Sequence, residues 1–104
     1  MTDKRELGII TKATLGFSDN AELGFSLDLD LDNGKTQSFG LYGLDPDYIF
    51  TVLCQILRAV GVNDWSELEG QVVWAYSNEG LIYAIEAPAF VKHFGRIDMR
   101  DYQR

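Results

Sequence analysis

The chain has few of the residue types from which catalytic and metal sites are built. Its 104 residues contain a single cysteine, Cys54, and a single histidine, His93. One cysteine excludes an internal disulfide, and one residue of each kind is too few for a zinc site of nitrogen and sulfur ligands. The sequence also lacks a glycine-rich phosphate loop, a nucleophile elbow and paired helical histidines. We therefore expect no enzymatic activity, no cofactor and no metal.

Long apolar runs are also missing. No stretch approaches the roughly 20 apolar residues that a membrane helix needs. The first residues, MTDKREL, have no apolar segment of the kind found in signal peptides. The single cysteine suits a reducing compartment. These features predict a cytoplasmic protein with no membrane partner.

Basic residues are scarce through the middle of the chain. From Ala13 to Val91 there are twelve acids against two bases, Lys35 and Arg58, a balance of −10 within a net charge of −7. The two chain ends carry the other bases and are mildly basic. An acidic body repels phosphate backbones and favours basic partners, so we expect a protein partner with a basic surface and no direct nucleic-acid binding. Solubility alone is an alternative explanation of the charge.

The composition is that of a folded protein of one domain. Apolar residues make up 46% of the chain and charged residues 24%, which is ordinary for a soluble globular domain. We expect a flexible N-terminus over residues 1–6, a single α+β domain over residues 7–91 and a charged C-terminal segment over residues 92–104. That last segment is either a short helix with a frayed tail or a tail alone.

The first half of the chain predicts three strands. Leu7 to Phe17 is rich in β-branched residues, and residues 23–31 alternate strictly between apolar and polar. A three-residue loop, Asp32-Asn33-Gly34, keeps the apolar faces of the second and third strands together, whereas a two-residue Asn33-Gly34 turn would mix them. The predicted neighbours are Leu27 with Phe39, Phe25 with Leu41, Asp28 with Ser38, and Asp30 with Thr36.

The second half predicts one long helix and a hairpin. Asp45 is the expected N-cap, Pro46 the first helical residue and Gly61 the end of the helix. Its apolar residues surround most of the helix and predict deep packing, with Cys54 as a small core residue and Thr51, Gln55 and Arg58 on the wet side. Strands over Gln71–Ser77 and Leu81–Ala87 are expected to join through Asn78-Glu79-Gly80.

These elements predict an α+β fold in the order βββ-α-ββ. Five short strands would form a strongly curved antiparallel sheet or partly open barrel, with the helix packed on it. The alternative is a flatter two-layer arrangement in which two hairpins flank the helix.

The stretch SLDLDLDNGK, residues 26–35, is the first candidate site. Its acids match the first positions of a calcium loop that starts at Asp28, but position 6 is Asn33 and position 12 is Phe39, and leucines at the intervening positions demand a strand. We therefore interpret it as an acidic binding surface of Asp28 and Asp30, with Asp32 and Glu22 nearby. Solubility and protection of a sheet edge explain the same residues.

An aromatic hairpin is the second candidate. Trp74, Tyr76 and Tyr83 lie on the predicted second hairpin and could stack bases or sugars, as the aromatic faces of some small barrels do. They could equally belong to the core or to a protein interface, including one in a homodimer. A surface position is expected for His93 among its charged neighbours.

Three segments together resemble a known kind of protein. GIITKATLGFSD, FSLDLDLDNGKTQSFGLYGLD and ILRAVGVNDWSELEGQVVWAYSNEGLIYAI are similar to small accessory proteins of bacteriophages and prophages. The matching features are Phe39-Gly40-Leu41-Tyr42 and the pattern of Val60-Gly61-Val62, Trp65, Leu68, Gly70 and Val73, within residues 8–87. The resemblance implies an inhibitor of host defence, as anti-CRISPR proteins are, that occupies a nucleic-acid-binding surface. It implies no catalytic residues.

Overall fold

The computed structural model describes residues 4–43, 45–88 and 95–102. They form strands β1 (Lys4–Phe17), β2 (Leu23–Leu31) and β3 (Thr36–Tyr42), helix α1 (Pro46–Val60), and strands β4 (Val72–Asn78), β5 (Leu81–Glu86) and β6 (Arg96–Asp98). Short 3₁₀ helices cover Trp65–Glu67 and Met99–Asp101. Among all the residues that the structure describes, none of the helices could span a membrane.

One antiparallel sheet contains all of these strands, in the order β3-β2-β1-β4-β5-β6. The expected α+β class with one long helix is confirmed, but the sheet of the described residues has six strands rather than five, and it is not closed. The long strand β1 joins its two halves, because Lys4–Ile9 pair with β4 while Gly8–Phe17 pair with β2. The first hairpin and the second hairpin thus share this single strand.

The core lies between one face of the sheet and α1. On α1 the apolar residues that recur at helical spacing become buried, and the sheet contributes the odd-numbered residues of β2. The largest side chains that are fully enclosed are Phe25, Phe39, Ile10, Leu27, Leu29, Ile56, Leu68 and Ile85. Trp65 packs against this core, with its ring edge-on to that of Phe25 and 6.5 Å between the two ring centres.

The loop between β2 and β3 has the predicted length and register. Leu27 lies opposite Phe39, Asp28 opposite Ser38 and Asp30 opposite Thr36. The turn is closed by a 3.0 Å bond from the Gly34 N–H to the Leu31 carbonyl, and Gly34 has a φ of 86°. A type I turn followed by a glycine in the left-handed region has this form.

The loop between β4 and β5 is shorter than predicted. Asn78 pairs with Leu81, so only Glu79 and Gly80 form the turn, and both have positive φ, 54° and 82°. Two consecutive residues with positive φ are typical of the type I′ turn, whose twist matches that of the strands. A bulge between Tyr76 and Ser77 then places Tyr83 between the paired positions of β5.

Helix α1 begins and ends as predicted. The Asp45 carboxylate accepts a 2.9 Å bond from the Asp47 N–H, and the Gly61 N–H donates to the Leu57 carbonyl at 2.9 Å. The expectation of a buried Cys54 was wrong, because its side chain is exposed, as is Phe50 four residues earlier. The helix packs through a narrower stripe than its apolar content suggested.

Both chain ends contribute more to the fold than expected. Lys4, Arg5 and Glu6 are paired with β4, although residues 1–6 were predicted to be flexible. Residues 96–98 form β6, and Ile97 and Met99 are buried in the core, although residues 92–104 were predicted to be a helix or a tail. His93 lies outside the described residues.

Candidate functional site: the outer face of the sheet

The face of the sheet directed away from α1, which we call the outer face, carries both groups of candidate residues. Asp28 and Asp30 project from it on β2, where odd-numbered neighbours point into the core. Each carboxylate accepts a 2.9 Å bond from a hydroxyl on β3, Asp28 from Ser38 and Asp30 from Thr36. These bonds orient the two carboxylates and reduce the freedom of both side chains.

The other two predicted acidic residues lie at opposite ends of β2. Asp32 follows Asp30 where the strand enters its turn, and its N–H donates to the Leu7 carbonyl at 2.9 Å. Glu22 precedes β2, where its N–H donates to the Ser18 hydroxyl at 3.3 Å. Six residues of extended chain separate Glu22 from Asp28, about 20 Å. The structure therefore brings Asp28 and Asp30 together, with Asp32 next along the chain at the turn, and leaves Glu22 apart.

These acids do not assemble into a metal site. Over residues 4–43, 45–88 and 95–102, no three groups of the kinds that ligate metals come together. Alternation along β2 sets Asp28 and Asp30 about 7 Å apart, while two of their four oxygens already accept hydroxyl bonds. The arrangement suits long basic side chains better than a cation that needs six or more oxygens.

Trp74 and Tyr76 lie on the outer face of β4, half-buried, because the smaller Val73 and Ala75 take the core side. An arginine covers the ring of each: the Arg5 guanidinium lies 4.1 Å from the Trp74 ring centre, and the Arg96 guanidinium 4.8 Å from that of Tyr76. Stacked arginines of this kind gain about 0.5–2 kcal/mol each, depending on exposure.

Tyr83 also lies under a guanidinium, that of Arg100 at 3.9 Å. The predicted bare aromatic platform is therefore covered by three arginines. Sequence reasoning missed them because they lie far from the hairpin along the chain. The signal that could have found them was the basic character of both chain ends.

The three arginine–ring pairs, which we call the arginine–aromatic group, also form hydrogen bonds with two carboxylates. The Tyr76 hydroxyl donates to Glu86 at 2.7 Å, and Arg100 donates to both oxygens of Asp98, with its shortest bond at 2.6 Å. The hydrogen bonds from Arg100 hold the pKa of the nearly buried Asp98 below its usual range, against the opposing effect of burial. Asp98 is therefore an ionised acceptor that fixes the position of Arg100.

A cleft of about 510 Å³ lies where β3 and the first half of β5 approach each other, next to the second 3₁₀ helix. Ser38 and Gly40 line one wall, and Tyr83 and Arg100 line the other. The cleft thus lies beside both the acidic pair and the arginine–aromatic group. Its described lining residues offer a mixed polar and apolar surface.

No protein-family model matches the chain, and no curated protein matches it significantly in sequence. The resemblance to phage accessory proteins therefore stays a prediction.

Proposed function

We propose that this chain is a non-enzymatic accessory protein that binds and inhibits another protein through an acidic surface centred on Asp28 and Asp30. The observation that carries the proposal is the alignment of these two carboxylates, each oriented by a hydroxyl from β3. Ion pairing with oriented carboxylates loses less side-chain entropy than pairing with mobile ones. Asp32 extends the same surface at the turn.

The partner that suits this surface is a nucleic-acid-binding protein, because its basic groove complements aligned carboxylates. A net charge of −7 adds long-range attraction to such a groove and raises the rate of encounter. The resemblance to phage proteins implies a host defence complex of the CRISPR type. The protein would then act in the host cytoplasm.

We also infer that the six-stranded sheet is a partly open barrel. The support is that β3 and β5 line one cleft, although β2, β1 and β4 lie between them in the sheet order. Curvature of this kind would present the outer face as a convex surface, able to enter a groove of the partner.

Reversal of the acidic pair tests the proposed function. We expect Asp28→Lys with Asp30→Lys to weaken binding of a partner captured from host lysate at least tenfold, since attraction becomes repulsion at two close sites. The fold should persist, because both residues lie on the solvent side of β2. Binding is measured by surface plasmon resonance at two salt concentrations. As the functional readout, the partner should bind DNA again when the variant replaces the wild-type protein.

The matched control reverses two exposed acids elsewhere, Asp19→Lys with Glu69→Lys, and so changes the net charge by the same amount. If both double variants lose affinity equally, only overall charge matters and the site is wrong. Wild-type affinity in Asp28→Lys with Asp30→Lys would have the same consequence.

A second candidate function is a small-ligand, nucleotide or single-strand-binding module that uses Trp74, Tyr76 and Tyr83. The observation in its favour is the set of arginines stacked on these rings, because guanidinium groups supply the positive charge that such a module needs and can stack on bases themselves. Against it, two of the three arginines already lie beside Asp98.

A further inference from the structure

The centre of the outer face is apolar and exposed. Ile9 on β1 and Val72 on β4 lie directly opposite each other and are 47% and 37% exposed. Their strands are the two central strands of the sheet, so the pair has neighbouring strands on both sides, and it lies at the end of the β1–β4 ladder where β4 begins. Leu7 and Trp74, both half-buried, adjoin this pair on the same face, and an apolar patch rimmed by polar residues is typical of an interaction surface.

Charged groups of opposite sign flank this apolar pair. On one side, Asp30 lies opposite Ile9 across β1 and β2, about 5 Å from it between backbones. On the other side, Leu7 lies opposite Trp74, the neighbour of Val72 along β4, and Arg5 covers the Trp74 ring. The outer face therefore presents three zones in order: the Asp30 carboxylate, the apolar pair, and Arg5 over the indole ring of Trp74.

Arg5 differs from the other two arginines of the group. Arg96 and Arg100 lie 4.0 and 2.6 Å from the Asp98 carboxylate, whereas Arg5 has no carboxylate within ion-pair distance over the described part of the chain. Arg5 is exposed, and its guanidinium, which lies over the Trp74 ring, carries five N–H donors that suit bidentate binding of a carboxylate. Arg5 is thus placed to donate hydrogen bonds to a carboxylate of a partner.

We propose that the outer face docks a partner protein through three matched zones. Basic side chains would lie against Asp28 and Asp30, apolar side chains against Ile9 and Val72, and a carboxylate against Arg5. The proposal rests on the proposed function and adds the source of its affinity. Protein interfaces combine a desolvated apolar centre with a polar rim, and most of the binding energy comes from the centre.

The charges favour a protein over a nucleic acid at this face. Arg5 lies about 14 Å from Asp30, four residues along β1 and one strand across, so a nucleic-acid backbone that crossed this face would pass the carboxylates and be repelled there. A protein surface can place opposite charges at two ends of one apolar patch, as this face requires.

The test uses three defined probes on the whole protein. The first is a patterned peptide with lysines at one end, valines in the centre and a glutamate at the other end. The second peptide replaces the valines by serines, and the third probe is an oligothymidylate. We expect the patterned peptide to bind about tenfold more tightly than the serine peptide, from the buried apolar area, and to shift the backbone amide signals of Ile9, Asp30 and Val72 in ¹H–¹⁵N spectra.

Two double variants separate the zones. Ile9→Thr with Val72→Thr keeps β-branched residues at exposed strand positions and should weaken the patterned peptide about tenfold while leaving the serine peptide unchanged. Asp28→Asn with Asp30→Asn should weaken both peptides. Leu81→Thr removes an equally apolar side chain, 75% exposed, from outside the patch and should change neither.

The outcomes that overturn the proposal are distinct from those that overturn the proposed function. If the threonine variant binds the patterned peptide as wild type does, the apolar zone is wrong, while loss of binding in the asparagine variant keeps the acidic surface. If the asparagine variant also binds as wild type does, both fall. Tighter binding of the oligothymidylate at the same amides would assign the face to nucleic acid, and a dimer in light scattering that excludes the peptide would assign it to a second copy.

Discussion

Asp98 shows how a single residue links the end of the chain to the sheet. It is 9% exposed, the only charged side chain among the described residues that is so deeply buried, and it caps the second 3₁₀ helix by accepting a 2.9 Å bond from the Arg100 N–H. Its carboxylate also receives the Arg100 guanidinium. A buried carboxylate of this kind needs its partners, because an unpaired buried charge is strongly destabilising.

Replacement of Arg100 should make the free energy of unfolding less dependent on pH in the acidic range. Arg100→Gln is expected to lower the free energy of unfolding by about 1 kcal/mol at neutral pH, a small value because the guanidinium is half exposed. Asp98 has a lowered pKa in the folded state, so its stabilising effect is complete above the ordinary value near 4 and is lost as pH falls further. The difference between wild type and variant should therefore shrink below about pH 4.

Urea unfolding at a series of pH values, followed by tryptophan fluorescence, measures this difference. Arg58→Gln removes an exposed arginine from the last turn of α1 and serves as the control. A difference for Arg100→Gln that stays constant from neutral pH to pH 2 would contradict the role given to Asp98.

Two glycines control the path of β2 and β3 at the scale of elements. A Cβ at Gly24 would lie 2.1 Å from the Leu41 carbonyl oxygen, and one at Gly40 would lie 2.3 Å from the Phe25 carbonyl oxygen. Backbone atoms cannot move aside as flexible side chains do, so only glycine permits this approach of the two strands. Gly40 also lines the cleft between β3 and β5.

Alanine at Gly24 should therefore be far more destabilising than alanine at a glycine with a flexible neighbour. We expect Gly24→Ala to reduce the free energy of unfolding by more than about 2 kcal/mol. Gly8→Ala, where the nearest atom is the Leu31 Cδ2 at 2.9 Å, should have a smaller effect. Thermal unfolding by circular dichroism compares them, and equal melting temperatures would show that the strands can separate without loss.

The elements differ in how well local sequence predicts them. Strict alternation in residues 23–31 has one register that buries every leucine, so the first hairpin was predictable down to its pairs. The second hairpin has apolar residues on both faces, so alternation could not choose a register there. Glu79 adopts a positive φ that its side chain disfavours, and no local pattern indicates this.

At the scale of the whole molecule, the two basic chain ends meet on the aromatic hairpin. Lys4 and Arg5 pair with β4 on one side, and Arg96 pairs with β5 on the other. Most acids of the chain's middle lie on β2 or in turns and loops, while Glu86 lies on β5 beside Tyr76. A chain that is acidic in the middle and basic at its ends thereby becomes a sheet whose outer face has two zones of opposite charge.

The C-terminal segment should be necessary for folding as well as for this charge pattern. Deletion of residues 95–104 removes Ile97 and Met99 from the core, each worth about 2–3 kcal/mol of buried apolar area, and exposes the edge of β5. Since small domains have only about 5–15 kcal/mol in total, we expect the shortened chain to be largely unfolded at 37 °C.

Single substitutions repeat this test if the shortened chain cannot be purified. Ile97→Ala should lower the urea midpoint clearly, and Arg96→Ala, its exposed neighbour on the same strand, should lower it less, by the loss of its contact with the Tyr76 ring. A shortened chain with the wild-type midpoint would show that residues 1–94 fold without the C-terminal segment.

Local sequence patterns were enough to predict the α+β class, the first hairpin with its aligned Asp28 and Asp30, and both ends of α1. Each of these depends on neighbours a few residues apart: alternation, a turn glycine, a capping carboxylate. Tertiary structure alone decided that β1 joins two hairpins, that Cys54 faces solvent, and that Arg5, Arg96 and Arg100 cover the aromatic rings. Those features depend on which distant strands pair, and pairing is chosen by the burial of the whole core, so no local pattern contains it.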